Sequence, residues 1–161
     1  MMAVNIFGIK ELSDKIKALN FDLSKKVGLK MVASAGTVVK NEAKAIALSK
    51  GLKRTGSLIK NIAIKREKNT PLNSLQYNVG VRHGNTLTRT VRAKSKFLVR
   101  NKKGRIVTKY KNDPFYWRFL EFDMKNREGT PFIAPALVNK KQQAIDAMTK
   151  VLEKELLKAK P

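Results

Sequence analysis

FYWRFLEFDMKNREGTPFIAPAL, Phe115 to Leu137, carries the apolar weight of an otherwise cationic chain. Four of the seven Phe and the only Trp fall inside it. Phe115, Trp117, Phe119 and Phe122 exceed what one short helix face can bury. Each large apolar side chain taken into a core contributes about 1.5–3 kcal/mol. Aromatic residues left outside favour contact with another chain. The stretch therefore predicts a short aromatic helix over 114–122, its rings either all taken into the core or divided between the core beneath the sheet and a surface for a neighbouring subunit. Asp113 reads as its N-cap and Pro114 as its first helical residue. The segment DMKNREGTP reads as a loop. Pro131 and Pro135 direct the chain into a last helix over 134–158, and Phe132 is placed to dock beneath it. Leu137, Ala144, Ile145, Met148, Val151, Leu152 and Leu156 share one face of that helix.

Upstream, Ile9, Leu12, Ile16, Leu19, Leu23 and Val27 recur every three or four residues. Met31, Ala35, Val38, Val39, Ala43 and Ile46 continue the pattern. Residues 9–49 read as helical, either as one long helix or as two interrupted at Ser24 or Gly28. SKGLKRTG, Ser49 to Gly56, ends the region with two glycines and a cationic cluster. Antiparallel strands are expected over 57–112. SLIKNIAIKRE alternates at Ile62 and Ile64, and SLQYNVGVRH at Leu75, Tyr77, Val79 and Val81, with KNTPLN as the turn between them. A second hairpin spans 89–111. Val91, Ala93, Phe97 and Val99 lie on one arm, and Ile106, Thr108 and Tyr110 on the other. Its turn is NKKG, where Gly104 is free to take a positive φ. The order predicts a single α+β domain over 1–161: a long N-terminal helical region, an antiparallel sheet with an extended basic hairpin, a short aromatic helix, and a C-terminal amphipathic helix packed on the sheet.

Composition narrows the function. Lys and Arg number 35 against 12 Asp and Glu, a formal charge of +23 over 161 residues. Such a balance predicts a polyanionic partner. With no Cys, disulfides and thiolate metal sites are excluded. MMAVNIFGIKELSDKIK lacks the apolar run of a signal peptide, so synthesis in the cytosol is expected. No apolar run approaches the ~20 residues of a membrane span, and no membrane partner is expected.

The charge is concentrated. From Lys68 to Asn112 there is no Asp or Glu, while the same 45 residues carry twelve Lys or Arg. Arg89, Arg92, Lys94, Lys96, Arg100, Lys102, Lys103, Arg105, Lys109 and Lys111 all fall on the expected hairpin. Arg92, Lys94 and Lys96 share one strand parity, which suits contact with a phosphate backbone, since such contact needs charge and no base-edge geometry. The plainer reading is a solvated edge hairpin, blunted by Lys against aggregation. Aromatic interleaving is limited to Tyr77, Phe97 and Tyr110, too thin for a single-strand stacking platform.

Catalytic signals are sparse. His83, the only His, lies at a strand end, far in sequence from any carboxylate, and reads as a loop residue. Glu121, Asp123 and Glu128 are the densest acidic group. They could ligate Mg²⁺ for a small nuclease, but capping and surface pairing is the stronger reading. Neither GxxxxGK nor GxSxG occurs. No enzyme activity and no cofactor are expected.

Taken in order, the motifs have a likeness. Ala43-Lys44 precedes Thr55-Gly56-Ser57-Leu58-Ile59-Lys60-Asn61-Ile62. Phe119-Leu120-Glu121-Phe122 follows, then Pro131-Phe132-Ile133-Ala134-Pro135-Ala136. The chain thereby resembles the tail-completion and minor tail protein family of long-tailed bacteriophages, the gene-10-like family of lambdoid phages. That family carries AK, then TGxLxxSI, an aromatic with EFGT, and PFLRPA. Here Asp123 stands for the glycine of EFGT, a Gly129-Thr130 pair comes later, and Ala134 replaces the usual Arg. The resemblance implies packing roles for Thr55, Gly56, Leu58, Trp117, Glu121, Phe122, Pro131, Phe132 and Pro135. It implies a virion protein made in the bacterial cytoplasm. Its copies would form a ring, with six-fold symmetry set by the tail, at the head–tail neck or the head-proximal tail end. The partners implied are other copies of the chain, neighbouring neck and tail proteins, and DNA held non-specifically in the channel, which the hairpin cations would line. The alternative is a free, sequence-independent nucleic-acid-binding protein, which the charge favours equally.

Overall fold

The computed structural model describes residues 21–68, 70, 71, 74–125 and 127–158. One helix dominates it: α1, Phe21–Ser49, runs unbroken through Ser24 and Gly28. Ile9, Leu12, Ile16 and Leu19, together with the side chain of Leu23, lie outside the described residues. With no Pro and many Ala, nothing in the segment interrupts helical hydrogen bonding. Val27, Met31, Val39, Ala43 and Ala47 form its buried stripe, at spacings of four or its multiples. The helix closes where Gly51 turns the chain. The Leu52 N–H donates to the Ala47 carbonyl at 2.9 Å and the Gly51 N–H to the Leu48 carbonyl at 3.0 Å, which satisfies two of the last carbonyls.

Residues 57–61, expected as strand, instead form a helical turn, α2, Ser57–Asn61. Gly56, at φ 69°, reverses the chain into it. That left-handed φ is the reason for glycine there; no atom would crowd a Cβ at that position, so close backbone approach plays no part. Leu58 is buried, and the buried Asn61 amide nitrogen donates to the Ser57 carbonyl at 2.9 Å. β1, Ile62–Arg66, and β2, Tyr77–Val81, then pair antiparallel, with Ile62 opposite Val81 and Ile64 opposite Val79. These four residues share the face turned to α1. A Cβ on Gly36 would sit 3.1 Å from Ile64 Cγ2, so the absence of a side chain there sets how closely the ribbon approaches the helix.

The expected single sheet is two separate two-stranded ribbons. Between them come a 3₁₀ turn, Gly84–Thr86, and α3, Arg89–Ser95. The segment 89–95 was expected as a strand. Arg, Lys and Ala are good helix formers, and its Val91–Ala93 alternation has no core to face, since both are exposed. Arg92 and Lys94 therefore share no strand face with Lys96. β3, Lys96–Arg100, pairs with β4, Ile106–Tyr110, around the expected NKKG turn. Gly104 there has φ 76°, and Asn101 Oδ1 accepts from the N–H groups of Lys103 and Arg105, each at 3.0 Å.

The aromatic helix α4 spans Trp117–Glu121, shorter than 114–122. Asp113 does not cap it. Both of its carboxylate oxygens accept from the Gly84 N–H at 3.0 Å, and the buried Pro114 begins a turn in which the Trp117 N–H reaches the Pro114 carbonyl at 3.1 Å. The last helix is also divided, at Lys140, into α5, Ile133–Asn139, and α6, Lys141–Lys158. α6 packs on α1 and not on the sheet. The reason is a second apolar cluster, in which Val27 and Met31 of α1 meet Leu152 with Met148, Val151 and Leu156, while α1 already fills the apolar face of β1–β2. The main core lies at the other end of α1. There Val39, Ala43 and Ala47 meet Leu58, Ile62, Val81, Leu120, Phe132, Ala136 and Ala144. The result is an α+β domain, as expected, assembled on one helix. No described helix is long and apolar enough to cross a membrane.

Lys30 Nζ donates to Glu155 at 2.9 Å and ties α1 to α6, while Lys158 reaches the same carboxylate at 3.2 Å. The bond from Lys30, then that from Lys158, holds the Glu155 pKa below the ordinary carboxylate value. A depressed folded-state pKa stabilises above the unfolded value and ceases to do so as pH falls through the folded one. Stability of the native chain is therefore expected to fall through the acid range below the usual carboxylate pKa. Glu155→Gln should flatten that slope in urea titrations run from neutral to acid pH.

Candidate functional site

The ten hairpin cations do not form one surface. Arg89, Arg92 and Lys94 belong to α3, Lys96 and Arg100 to β3, and Lys109 to β4, with Lys111 just beyond. Lys102, Lys103 and Arg105 occupy the tip. Four residues of strand, at about 3.3 Å each, put that tip about 13 Å from Lys96. Only Arg89, Arg92 and Lys96 converge, on a cleft of about 530 Å³ completed by Asn85, Ala93, Val107, Thr108 and Tyr110. Local bonds shape it. The Lys111 N–H donates to the Ser95 carbonyl at 2.8 Å, which joins the ends of α3 and β4, and Tyr110 Oη lies 3.1 Å from Asn85 Oδ1. Among the described residues none of the ten cations is ion-paired. Asn85 and Thr108 carry no charge or motif, and no sequence signal singles them out; Thr108 comes to the cleft on β4, and Asn85 on the 3₁₀ turn that its bond with Tyr110 ties to that strand.

Among the described elements, the β3–β4 ribbon has no substantial contact beyond its base. Its base is held by Ser57 Oγ, which donates to the Asn112 carbonyl, and by Asp113 on Gly84. Register places Leu98 opposite Thr108 and Arg100 opposite Ile106 on one face, and Phe97 opposite Lys109 on the other. Leu98 is 64% exposed, Ile106 67% and Phe97 46%. The ribbon is thus an arm with apolar side chains on both faces and cations between them.

Of the two readings of the Phe115–Leu137 stretch, the structure shows a division between core and surface and not full burial. Leu120 and Phe132 are buried and Trp117 is half-buried, whereas Phe115, Phe119 and Phe122 face outward. Arg118 stacks over the Trp117 ring at 5.6 Å. Glu121 has a defined structural task. Its buried carboxylate accepts from the N–H groups of Phe132 at 2.9 Å, Ile133 at 3.0 Å and Ala134 at 2.8 Å. These are orphan donors at the start of α5, where a negative charge is favoured. Pro135 needs no N–H partner in that first turn. The Pro131 carbonyl accepts from Lys50 Nζ at 2.8 Å. Thr55 is exposed, and its hydroxyl oxygen lies 3.4 Å from the Ser57 N–H.

The other polar candidates are engaged in backbone bonding. Asp123 accepts from the Gly129 N–H at 2.7 Å, closing the loop that carries Glu128. The His83 N–H donates to Thr86 Oγ1 at 2.8 Å in the 3₁₀ turn. Among the described residues no group of three His, Asp or Glu side chains is placed to hold a metal ion. No protein family, curated protein or solved structure matches this chain.

Proposed function

We propose that the chain is a structural subunit of a tailed phage or prophage. Copies of it form a ring at the head–tail neck or head-proximal tail end, joining tail to head around a channel for DNA. The observation that carries the reading is the β3–β4 arm. A two-stranded ribbon is marginally stable alone in water, and this one exposes Leu98, Ile106 and Phe97. Packing against a neighbouring copy completes such an arm, and repeated head-to-tail contacts close into rings. Phe115, Phe119 and Phe122 offer further exposed aromatic surface of the kind enriched at interfaces. The motif resemblance supports the same role. Glu121 and the PFIAPA segment, separated in sequence, form one bonded unit, which accounts for their joint occurrence.

Quantitative peptide mass spectrometry of purified tailed particles tests this. The chain should be present in a few copies per particle at a fixed ratio to the tail-tube protein. A Leu98→Ser, Ile106→Ser double variant should keep the native melting temperature yet be depleted from particles. Absence of the native chain from particles, with abundant protein in the lysate, ends the ring reading. The second reading, a free sequence-independent nucleic-acid binder, is favoured by the acid-free cationic run. On duplex DNA it requires a log–log salt slope of about −0.9 per phosphate neutralised, shown by the unassembled chain.

A further inference from the structure

The geometry points to the cleft between α3 and β4 as a phosphodiester-binding site, with Arg89, Arg92 and Lys96 as its ligands to the backbone phosphates of a nucleic acid. The inference rests on the DNA contact that both functional readings contain, and it says where on the chain that contact is made. The lining is rich in donors and poor in acceptors. Arg89, Arg92 and Lys96 supply three cations, and no carboxylate lines the cleft. Arg92 Nε is shielded from solvent and has no hydrogen-bond partner. A buried donor without an acceptor is costly, and among the described residues Arg92, which lines the cleft, has no protein acceptor for that N–H. The oxygen of the Asn85 amide accepts from Tyr110, so what that side chain still offers a ligand is chiefly its donor nitrogen. Asp113, which meets the chain next to Asn85, is committed to the Gly84 N–H. The tip cations Lys102, Lys103 and Arg105 differ. They sit on an exposed turn with no enclosing wall and act through charge alone.

A ligand that suits these features is anionic and accepts without donating. A phosphodiester unit meets both conditions, and guanidinium groups pair with its two free oxygens in a planar fork. An acidic peptide brings its own N–H donors into a site already filled with donors, and is less well matched.

The test is fluorescence anisotropy of a labelled duplex of about 20 base pairs with the full chain at low salt. The triple variant Arg89→Gln, Arg92→Gln, Lys96→Gln is compared with Lys102→Gln, Lys103→Gln, Arg105→Gln, which removes the same charge. The cleft variant is expected to bind at least about tenfold more weakly than the native chain and to show a shallower salt slope, while the tip variant changes less than about threefold. Arg92→Lys keeps the charge but loses the fork, and should still weaken binding about threefold. Melting curves confirm that each variant folds. Equal losses in the two triple variants, a neutral Arg92→Lys, or competition by polyglutamate as effective as by unlabelled duplex would each overturn the site. No binding by the native chain also overturns it, whereas the ring reading is judged separately by particle composition.

Discussion

Phe132→Ala lowers the unfolding free energy by about 4 kcal/mol; this is the largest loss expected from any single truncation in the chain. Phe132 is fully buried. It sits where α5 meets the main cluster, among Leu58, Ile62, Leu120 and Ala136. Truncation removes the transfer free energy of the ring and leaves a cavity that the surrounding backbone cannot close, because α1 and the α4–α5 loop are held by separate hydrogen bonds. Urea unfolding followed by circular dichroism reads the effect as a lowered midpoint at unchanged slope. A loss below about 1.5 kcal/mol would place Phe132 at a site able to collapse, in a core that is not rigidly packed around it.

Glu121→Ala is the second. The carboxylate holds three backbone N–H groups of α5 at 2.8–3.0 Å. Hydrogen bonds to a charged group are stronger than neutral ones, and donors left buried without a partner carry their own penalty. The expected destabilisation is about 3 kcal/mol, above an ordinary surface cap because the site is buried. Glu121→Gln retains an accepting oxygen but loses the charge and half of the accepting capacity, and should fall between native and alanine. Amide hydrogen exchange gives a local readout. The N–H groups of Phe132, Ile133 and Ala134 should lose protection selectively in Glu121→Ala. Uniform loss across the chain would instead mean that Glu121 acts through global stability alone.

Local physics was legible in the sequence. The recurrence of apolar residues every three or four positions from Val27 to Ile46 specifies α1, because a helical stripe depends only on residues about one turn apart. The NKKG turn follows from Gly104 tolerating a positive φ, which is a property of one residue. Counting rings against one short helix face left the aromatic stretch open between full burial and a split with the surface, and packing decides for the split. The α+β class follows from the succession of these periods. The acid-free run from Lys68 to Asn112 needs no folding at all to be seen.

What escaped reading depends on distance or on near-degenerate choices. Residues 89–95 satisfy a strand alternation and a helix propensity about equally, and the absence of any packed face for Val91 and Ala93 decides for helix. Asp113 has the residue type and position of an N-cap, yet Gly84, 29 positions earlier, takes its carboxylate. Glu121 was visible as a motif residue, but its hold on the start of α5 arises only when the loop folds back across eleven positions. The placement of α6 on α1 is set by Val27 and Met31 against Leu152, a match between two amphipathic faces that either could have made with the sheet. The convergence of Arg89, Arg92 and Lys96 on one cleft, with the other cations elsewhere, follows from α3 being held beside β4, where the Lys111 N–H meets the Ser95 carbonyl. Short-range periodicity and turn chemistry are written residue by residue, so the sequence by itself determined the elements and the charge they carry. Which faces meet, and which cations meet, was decided by the tertiary structure, because burial is a competition among all apolar faces at once and no single segment holds the outcome.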